Sequence, residues 1–316
     1  MFYIEADSMD EIQKESIRAL LEQGNRVKPR GQWIHEINGF TFKLNNPRAR
    51  LIYNTERKYS LTFALGEFLW YLRGTNKLDI IQYYNKRYPQ FSDDGKTLYG
   101  AYGTRIFGHK LNNGMSQWEM VLNKLKEDPD TRQAIIGIYA ANDISVKTLD
   151  VPCTCYIQYF IRDNKLNCIV NMRSNDIIWG TSYDVFSFTM LQELLANLLH
   201  IEMGWYVHFA GSMHIYDRHL VMAEKILDNK DYESFVMPRM PEDTKSILNK
   251  VFLAEEELRL GCNIQELGNK YWDDILNVLV IYSQSKRLDR IEKNIIEVPD
   301  YYRNLLAFEK QISDKL

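Results

Sequence analysis

The sequence predicts an α+β fold in which long helices pack on a mostly antiparallel or mixed sheet, followed by a helical C-terminal extension. Three observations predict it. Apolar residues recur at helical spacing before residue 130, strand-like segments follow between residues 134 and 172, and charged, helix-prone sequence fills roughly the last ninety residues. With 316 residues, 45% of them hydrophobic and 13% aromatic, the chain has enough apolar material for a large core.

Start and stop signals predict three helices in the N-terminal half. The segment 10–23 places four aliphatic side chains on one face and ends at Gly24. An almost wholly apolar helix covers residues 60–72. The third helix, within 116–129, begins with a serine that has Glu119 three residues later, the spacing of a capping box, and it ends at a proline.

The central part of the chain predicts strands. Residues 134–140 form one candidate strand, and residues 155–161 and 165–172 are expected to pair as a hairpin that turns at residues 163–164, which are Asp-Asn. Pairing of this kind implies antiparallel neighbours in the sheet.

The remaining segments complete the expected organisation. Residues 184–200 predict a long helix buried against the sheet, residues 204–216 a further strand, and residues 86–106 a long loop rich in Asp, Gly and Tyr. We expect a catalytic domain at 1–240 and a helical extension, packed on it, at 241–316.

Charge and cysteine content exclude several classes of protein. Lys and Arg number 39 against 42 Asp and Glu, so the net charge is -3, whereas a general nucleic-acid binder is usually basic. An anionic partner is therefore expected to be small and to meet a local cluster of cations. Four cysteines are too few for a disulfide scaffold, and no stretch has the length of a signal peptide core or a membrane span, so we expect a cytoplasmic protein without membrane contact.

Cys153 follows Pro152 at the start of a predicted strand, with Arg173 and Ser174 at the end of the partner strand. A buried structural cysteine is the ordinary interpretation of such a residue. A nearby guanidinium, however, lowers a thiol pKa and binds anions, which favours a nucleophile. Strand geometry does not exclude a metal site shared with Cys155, but a zinc deaminase needs Cys-x-x-Cys after a His-x-Glu, and the chain has Cys-x-Cys.

Three other polar residues have two readings each. Glu67 interrupts an apolar helix, so it is either a partnered structural residue or a tuned acid/base. His214 and Tyr216 lie two apart on one strand face, where they are either core groups or ligands of a sugar hydroxyl.

Several separated motifs, taken together, resemble the thymidylate synthase family. They are PC at 152–153, RSND at 173–176, Gly180, Tyr183-Asp184 and HIY at 214–216, with Arg30, GEFLWYLRG at 66–74, LYGAYG at 98–103 and DPDTR at 128–132 upstream. The likeness covers roughly residues 10–240, and its motifs are specific because they occur in one order.

The resemblance implies a thymidylate synthase-like fold that transfers a one-carbon unit from 5,10-methylenetetrahydrofolate to C5 of a pyrimidine nucleotide. The residues that it implies are the nucleophile Cys153, the proton-relaying Glu67, Tyr102 of a catalytic water network, the phosphate ligands Arg30, Arg173 and Ser174, the sugar ligands His214 and Tyr216, the folate contacts Asp176 and Gly180, and Arg132 supplied by the neighbouring subunit of a homodimer. The folate carries the one-carbon chemistry, so neither metal nor flavin is expected.

Asp184 departs from the family pattern, because thymidylate synthases have an asparagine there that pairs with uracil. A carboxylate accepts a hydrogen bond from the 4-amino group of cytosine and also from N3 once that nitrogen is protonated, whereas it meets lone pairs at O4 of uracil. Asp184 therefore predicts a cytidylate substrate, and the resemblance narrows to the deoxycytidylate hydroxymethylases.

A second departure concerns the product. Thymidylate synthases shield the transferred methylene with a tryptophan, but no tryptophan lies between Trp70 and Trp118, and Tyr84 or Asn85 is nearest the position. Tyr84 is thus predicted at the folate site, with water reaching the methylene. The predicted reaction converts dCMP, 5,10-methylenetetrahydrofolate and water to 5-hydroxymethyl-dCMP and tetrahydrofolate.

Alternatives remain open at this point. Thr154 and Gln133 replace a histidine and an arginine of the family, and the C-terminal residues do not match its folate-closing terminus. CMP hydroxymethylation, C5 methylation of dCMP, thymidylate synthesis from dUMP and a catalytically silent nucleotide-binding paralogue are the competing interpretations.

Overall fold

The computed structural model describes residues 2–286 and 297–313. The strands are β1 (Phe2–Ala6), β2 (Asn25–Val27), β3 (Ile34–Leu44), β4 (Ile135–Gly137), β5 (Thr154–Arg162), β6 (Lys165–Met172), β7 (Asn175–Asp176) and β8 (Glu202–Tyr216). The helices are α1 (Met9–Gln23), α2 (Leu61–Leu72), α3 (Leu78–Tyr84), α4 (Gln117–Glu127), α5 (Gly180–Leu199), α6 (Leu220–Asp228), α7 (Thr244–Arg259), α8 (Lys270–Lys286) and α9 (Asp300–Ser313).

One mixed sheet organises these elements in the order β1-β3-β8-β6-β5-β4, with β2 added to β3 and β7 added to β8. β1 is parallel to β3, and both β6 and β7 are parallel to β8, whereas the other pairs are antiparallel. Long helix α5 is buried against this sheet, where Gln192 donates to the carbonyls of Leu166 and Trp205 at 2.8 and 3.0 Å. The predicted α+β class with a mixed sheet and C-terminal helices is confirmed.

Local signals placed several elements correctly. The side chain of Ser60 caps α2 by accepting from the Phe63 amide, and Ser116 and Glu119 form the expected capping box of α4. The β5–β6 hairpin turns at Asp163 and Asn164, whose φ angles of 51° and 54° are those of a two-residue hairpin turn.

Strands β1 and β3 were missed by the sequence analysis. β3 pairs with β8 over ten positions, from Ile34 opposite Tyr216 to Leu44 opposite Tyr206, so its partner lies far away along the chain. Its second half does alternate, with Phe40, Phe42 and Leu44 fully buried, and this pattern was a usable signal. The expected loop at 86–106 also contains a short 3₁₀ turn, Tyr88–Phe91, and a π-helical turn begins at Thr104.

The C-terminal helices pack on the rest of the chain through a buried ionic cluster. Glu255 of α7, only 1% exposed, accepts from Arg73 and from the Tyr84 hydroxyl, each at 2.6 Å, and from Arg259 at 2.7 Å. A carboxylate at such depth is tolerated because three donors satisfy it. The division of the chain at residue 240 stays a prediction. None of the described helices has both the length and the apolar character needed to cross a membrane.

Candidate active site

Cys153 lies directly before β5, and its carbonyl oxygen accepts from the Arg173 amide at 2.8 Å, which holds it beside the end of β6. The cysteine is free and partly exposed. Burial raises the pKa of its thiol and the charge of Asp184 adds to this, while the guanidinium groups of Arg173 and Arg30 oppose it. The resting thiol is therefore protonated near neutral pH, and it needs a proton acceptor before it can attack.

Glu67 sits in the middle of α2 and is 5% exposed. The hydroxyl of Tyr88 donates to its Oε1, and the Tyr88 ring contacts the rings of Phe63 and Trp70. Burial raises the pKa of Glu67 to about 8, with a smaller contribution from Asp184, although the Tyr88 hydrogen bond lowers it. Glu67 is thus a neutral acid near pH 7, so it can both give and take a proton. The site that it forms with Cys153, Tyr102 and Asp184 is named the cleft.

Glu67→Gln is expected to stabilise the protein increasingly as pH rises from about 4.5 to about 8. Over this window the unfolded chain releases the Glu67 proton and the folded chain keeps it, so the wild type loses stability with rising pH, whereas glutamine does not. We expect a gain of ~5 kcal/mol at pH 9 and almost none at pH 4.5, measured by urea unfolding.

The control for this measurement is Glu119→Gln. Hydrogen bonds from Ser116 lower the pKa of Glu119 to about 2, so its contribution is constant between pH 5 and 9. A Glu67→Gln gain that did not vary with pH would contradict the assigned burial of a neutral carboxyl.

Asp184 lies near the N-terminus of α5, and its Oδ2 accepts from the Asn175 side-chain amide at 2.7 Å. Burial raises the pKa of Asp184 to about 7, and the Asn175 hydrogen bond opposes the shift. Asn175 is itself buried, and its carbonyl oxygen accepts from the Thr181 hydroxyl. A Cβ atom at Gly180 would lie 3.1 Å from the Asn175 amide nitrogen, so a glycine at this position leaves space for the Asn175–Asp184 hydrogen bond.

Tyr102 is the fourth of the predicted catalytic residues. Its hydroxyl oxygen accepts from the Thr154 amide at 3.3 Å, and its ring stacks on Phe188. Burial raises its pKa, and the charges of Asp184 and Cys153 raise it further. The structure therefore brings Cys153, Asp184 and Tyr102 close enough to interact electrostatically, and Asp184 does the same with Glu67.

The predicted anion and sugar ligands gather at one side of this cleft. Arg173 donates to the carbonyls of Pro152 and Val151, both at 3.0 Å. Ser174 Oγ lies 3.4 Å from His214 Nδ1, and the His214 and Tyr216 rings meet edge to face at 5.1 Å.

Arg30 lies on an exposed turn in the left-handed region, at φ 48°. Its charge lowers the pKa of His214, which burial lowers more strongly. Asp176 is fixed beside His214, because its backbone pairs with His214 and its side chain accepts from the Ile178 amide at 2.9 Å.

Two predicted site residues lie elsewhere. Tyr84 is buried with its ring against Gly66, and its hydroxyl donates to Glu255 of α7. Its assignment to the folate site stays a prediction. Arg132 is exposed just before edge strand β4, and its role in a neighbouring subunit stays a prediction.

Sequence reasoning missed two residues of the cleft, Tyr88 and Asn175. Asn175 lies inside the RSND motif, and an amide side chain close in sequence to Asp184 was a usable signal. No signal in the sequence singled out Tyr88, because several tyrosines occur in the same segment. In the parts of the chain that the structure describes, no group of three or more His, Cys, Asp or Glu side chains is arranged to hold a metal ion.

Comparison with known proteins identifies the family. The family model described as thymidylate synthase matches residues 12–254, and this match contains the site residues and the first part of helix α7. The chain belongs to the thymidylate synthase family. Thymidylate synthases use methylenetetrahydrofolate as co-substrate and bind a pyrimidine nucleotide. The fold agrees: thermostable thymidylate synthase A from Bacillus subtilis superposes with a TM-score of 0.62 over 71% of this chain and 86% of its own, at 22% identity.

One similar protein is named for deoxyuridylate, whereas Asp184 predicts a cytidylate substrate. The deoxyuridylate hydroxymethyltransferase of Bacillus phage SP01 is 31% identical over 226 residues, which are 68% of this chain. The match spans 59% of the length of that relative.

Proposed function

We propose that this member of the family transfers a hydroxymethyl group to C5 of deoxycytidylate, with 5,10-methylenetetrahydrofolate as the carbon donor. The observation that carries the proposal is a carboxyl group, Asp184, in the cleft that also holds Cys153 and Glu67. The neutral Asp184 carboxyl has one proton and two oxygens to present to the edge of the pyrimidine. One oxygen accepts from the 4-amino group of cytosine, and the proton is shared with N3.

The proposed chemistry divides the work between catalytic residues and phosphate-binding residues. Cys153 Sγ adds to C6 of the pyrimidine, which makes C5 nucleophilic. C5 then bonds to the carbon donated by the folate and loses its proton, and tetrahydrofolate departs. Water adds its hydroxyl to the exocyclic carbon as the C6–S bond breaks. Glu67 and Tyr102 carry the protons, and Arg30, Arg173 and Ser174 bind the phosphate.

Two observations support hydroxymethylation over methylation. The phage relative is named as a hydroxymethyltransferase. In this chain the hydroxyl of Tyr88 holds Glu67, so a polar group that can order water lies beside the proton-relaying acid. Trp70 is not available as a shield, since its indole is buried and donates to the Lys77 carbonyl at 3.1 Å.

Tyr88→Phe is expected to lower hydroxymethylation turnover about tenfold or more, with a smaller effect on nucleotide binding. The change removes one donor to Glu67 and keeps the aromatic packing, so the carboxyl loses its orientation toward water. The matched control is Tyr84→Phe, four residues earlier, whose hydroxyl bonds Glu255 outside the cleft. Equal losses of turnover in the two variants would contradict the role of Tyr88.

The second candidate substrate is dUMP, which is favoured by the name of the phage relative. Incubating the protein with dCMP, CMP or dUMP and the folate, then weighing the products, decides between the candidates. A gain of CH₂O on dCMP supports the proposal. A gain of CH₂O or CH₂ on dUMP alone contradicts dCMP as the substrate. A gain of CH₂ on dCMP contradicts hydroxymethylation and indicates methylation.

We also propose that two copies of the chain form a homodimer in which Arg132 reaches the phosphate of the neighbouring site. The sheet has a face for such pairing: partly exposed apolar residues alternate with buried ones along its central strands. Ile169 pairs with Val207 on this face, and Phe160 and Phe209 lie beside them. Sedimentation at several protein concentrations measures the pairing.

A further inference from the structure

The two oxygens of the Asp184 carboxyl have different surroundings. Oδ2 accepts a hydrogen bond from Asn175 at 2.7 Å. Among the residues that the structure describes, none hydrogen-bonds to Oδ1. The carboxyl is therefore asymmetric before any nucleotide binds.

Asn175 is held in one orientation. It is 4% exposed, its backbone pairs with Met213 in the β7–β8 ladder, and its side-chain oxygen accepts from the Thr181 hydroxyl. The side-chain amino group, which can only donate, is thereby directed at Asp184. A side chain at position 180 would crowd this group, since a Cβ there lies 3.1 Å from the amide nitrogen and 3.6 Å from Asp184 Oδ2.

A donor at Oδ2 decides where the carboxyl carries its proton. The oxygen that accepts from Asn175 stays an acceptor, so the proton of the neutral acid resides on Oδ1. Cytosine and uracil require opposite arrangements: cytosine needs a donor at N3 and an acceptor at its 4-amino group, and uracil needs an acceptor at N3 and a donor at O4. Whichever oxygen faces N3, a fixed proton position matches one base and mismatches the other.

We propose that Asn175 is a specificity-determining positioning residue, which selects between cytosine and uracil by fixing the proton-bearing oxygen of Asp184. The inference deepens the proposed function and rests on its assignment of Asp184 as the base reader. For a cytidylate enzyme, Oδ2 faces the 4-amino group and Oδ1 faces N3.

The test compares dCMP with dUMP in the wild type, Asn175→Ala and Thr181→Val, by nucleotide affinity from calorimetry and by kcat/KM. Asn175→Ala is expected to bring the ratio of the kcat/KM values for dCMP and dUMP about tenfold closer to one, because either oxygen of Asp184 then carries the proton. The ratio of the two affinities is expected to change in the same way. Thr181→Val, which frees the Asn175 amide to rotate, is expected to move the ratio in the same direction by a smaller factor.

The matched control is Asn167→Ala. Asn167 is another buried asparagine of the same sheet, and its side chain accepts from the Trp205 amide at 3.0 Å. General damage lowers binding of both nucleotides equally, so this variant is expected to keep the wild-type ratio. If Asn175→Ala does not fold, Thr181→Val decides.

The outcomes separate this inference from the proposed function. A wild type that prefers dUMP, with a ratio that contracts in Asn175→Ala, overturns the cytidylate substrate and supports the role of Asn175. A wild type that prefers dCMP, with a ratio unchanged within twofold in folded Asn175→Ala and Thr181→Val, overturns the role of Asn175 and leaves the substrate standing. Failure of the wild type to bind either nucleotide overturns both.

Discussion

Cys153→Ala is expected to abolish product formation with every nucleotide, lowering turnover by roughly 10⁴-fold or more. C5 of a pyrimidine is a weak nucleophile until a thiolate adds at C6, and the structure places Cys153 beside Arg173, at the anion side of the cleft, and within the electrostatic reach of Asp184. The variant keeps Arg173, Ser174 and His214, so nucleotide binding is expected to persist.

The informative measurements are product mass and exchange of the C5 hydrogen with solvent, which reports addition at C6 even when no carbon is transferred. Cys155→Ala is the control, because Cys155 is also free and partly exposed and lies two residues later, in β5. A Cys153→Ala protein that still forms product, or still exchanges C5 hydrogen, contradicts covalent catalysis. Retained cellular function without turnover instead supports a silent nucleotide-binding paralogue.

Asp184→Asn is expected to invert the base preference, reducing dCMP turnover and admitting dUMP. A carboxamide has no acidic proton to transfer to N3 of cytosine, and once the Asn175 amide turns together with it, it donates to O4 of uracil and accepts from N3-H. Unpaired polar edges in a closed site change selectivity by factors on the order of 10⁴, so the ratio of the two kcat/KM values is expected to move by several orders of magnitude.

Asp150→Asn is the control for this inversion. Asp150 also carries a buried carboxyl near Cys153, and burial raises its pKa, but it accepts from the Gly100 amide at 2.8 Å. It is expected to leave the base ratio unchanged. An unchanged preference in Asp184→Asn would refute the assignment of Asp184 as the base reader.

The sequence supports the expected results for Cys153→Ala and Asp184→Asn to different degrees. Cys153 and Asp184 stand in motifs whose order and spacing resemble the family. The orientation of Asp184 does not follow from those motifs, because the Asn175 amide reaches it across the turn between β7 and α5. Pairing with β8 sets the position of that turn.

Tyr84 and Tyr88 show the same limit at closer range. Both belong to one aromatic segment, and nothing in their local sequence distinguishes them. Tyr84 ends α3 on the side that meets Glu255 of α7, whereas the following 3₁₀ turn directs the Tyr88 hydroxyl to Glu67. The choice depends on a helix more than 150 residues later in the chain.

The sequence by itself determined helices α1, α2, α4 and α5 and the β5–β6 hairpin of this protein, because caps, turns and apolar periods act among residues only a few positions apart. It also indicated the family and gave the proposed reacting groups, since both are carried by residue type and order. Only the tertiary structure decided the long strand β3, the burial that raises the pKa values of Glu67 and Asp184, and the partners Tyr88 and Asn175 that orient them. Burial and pairing arise when distant segments meet, and no local pattern encodes that meeting.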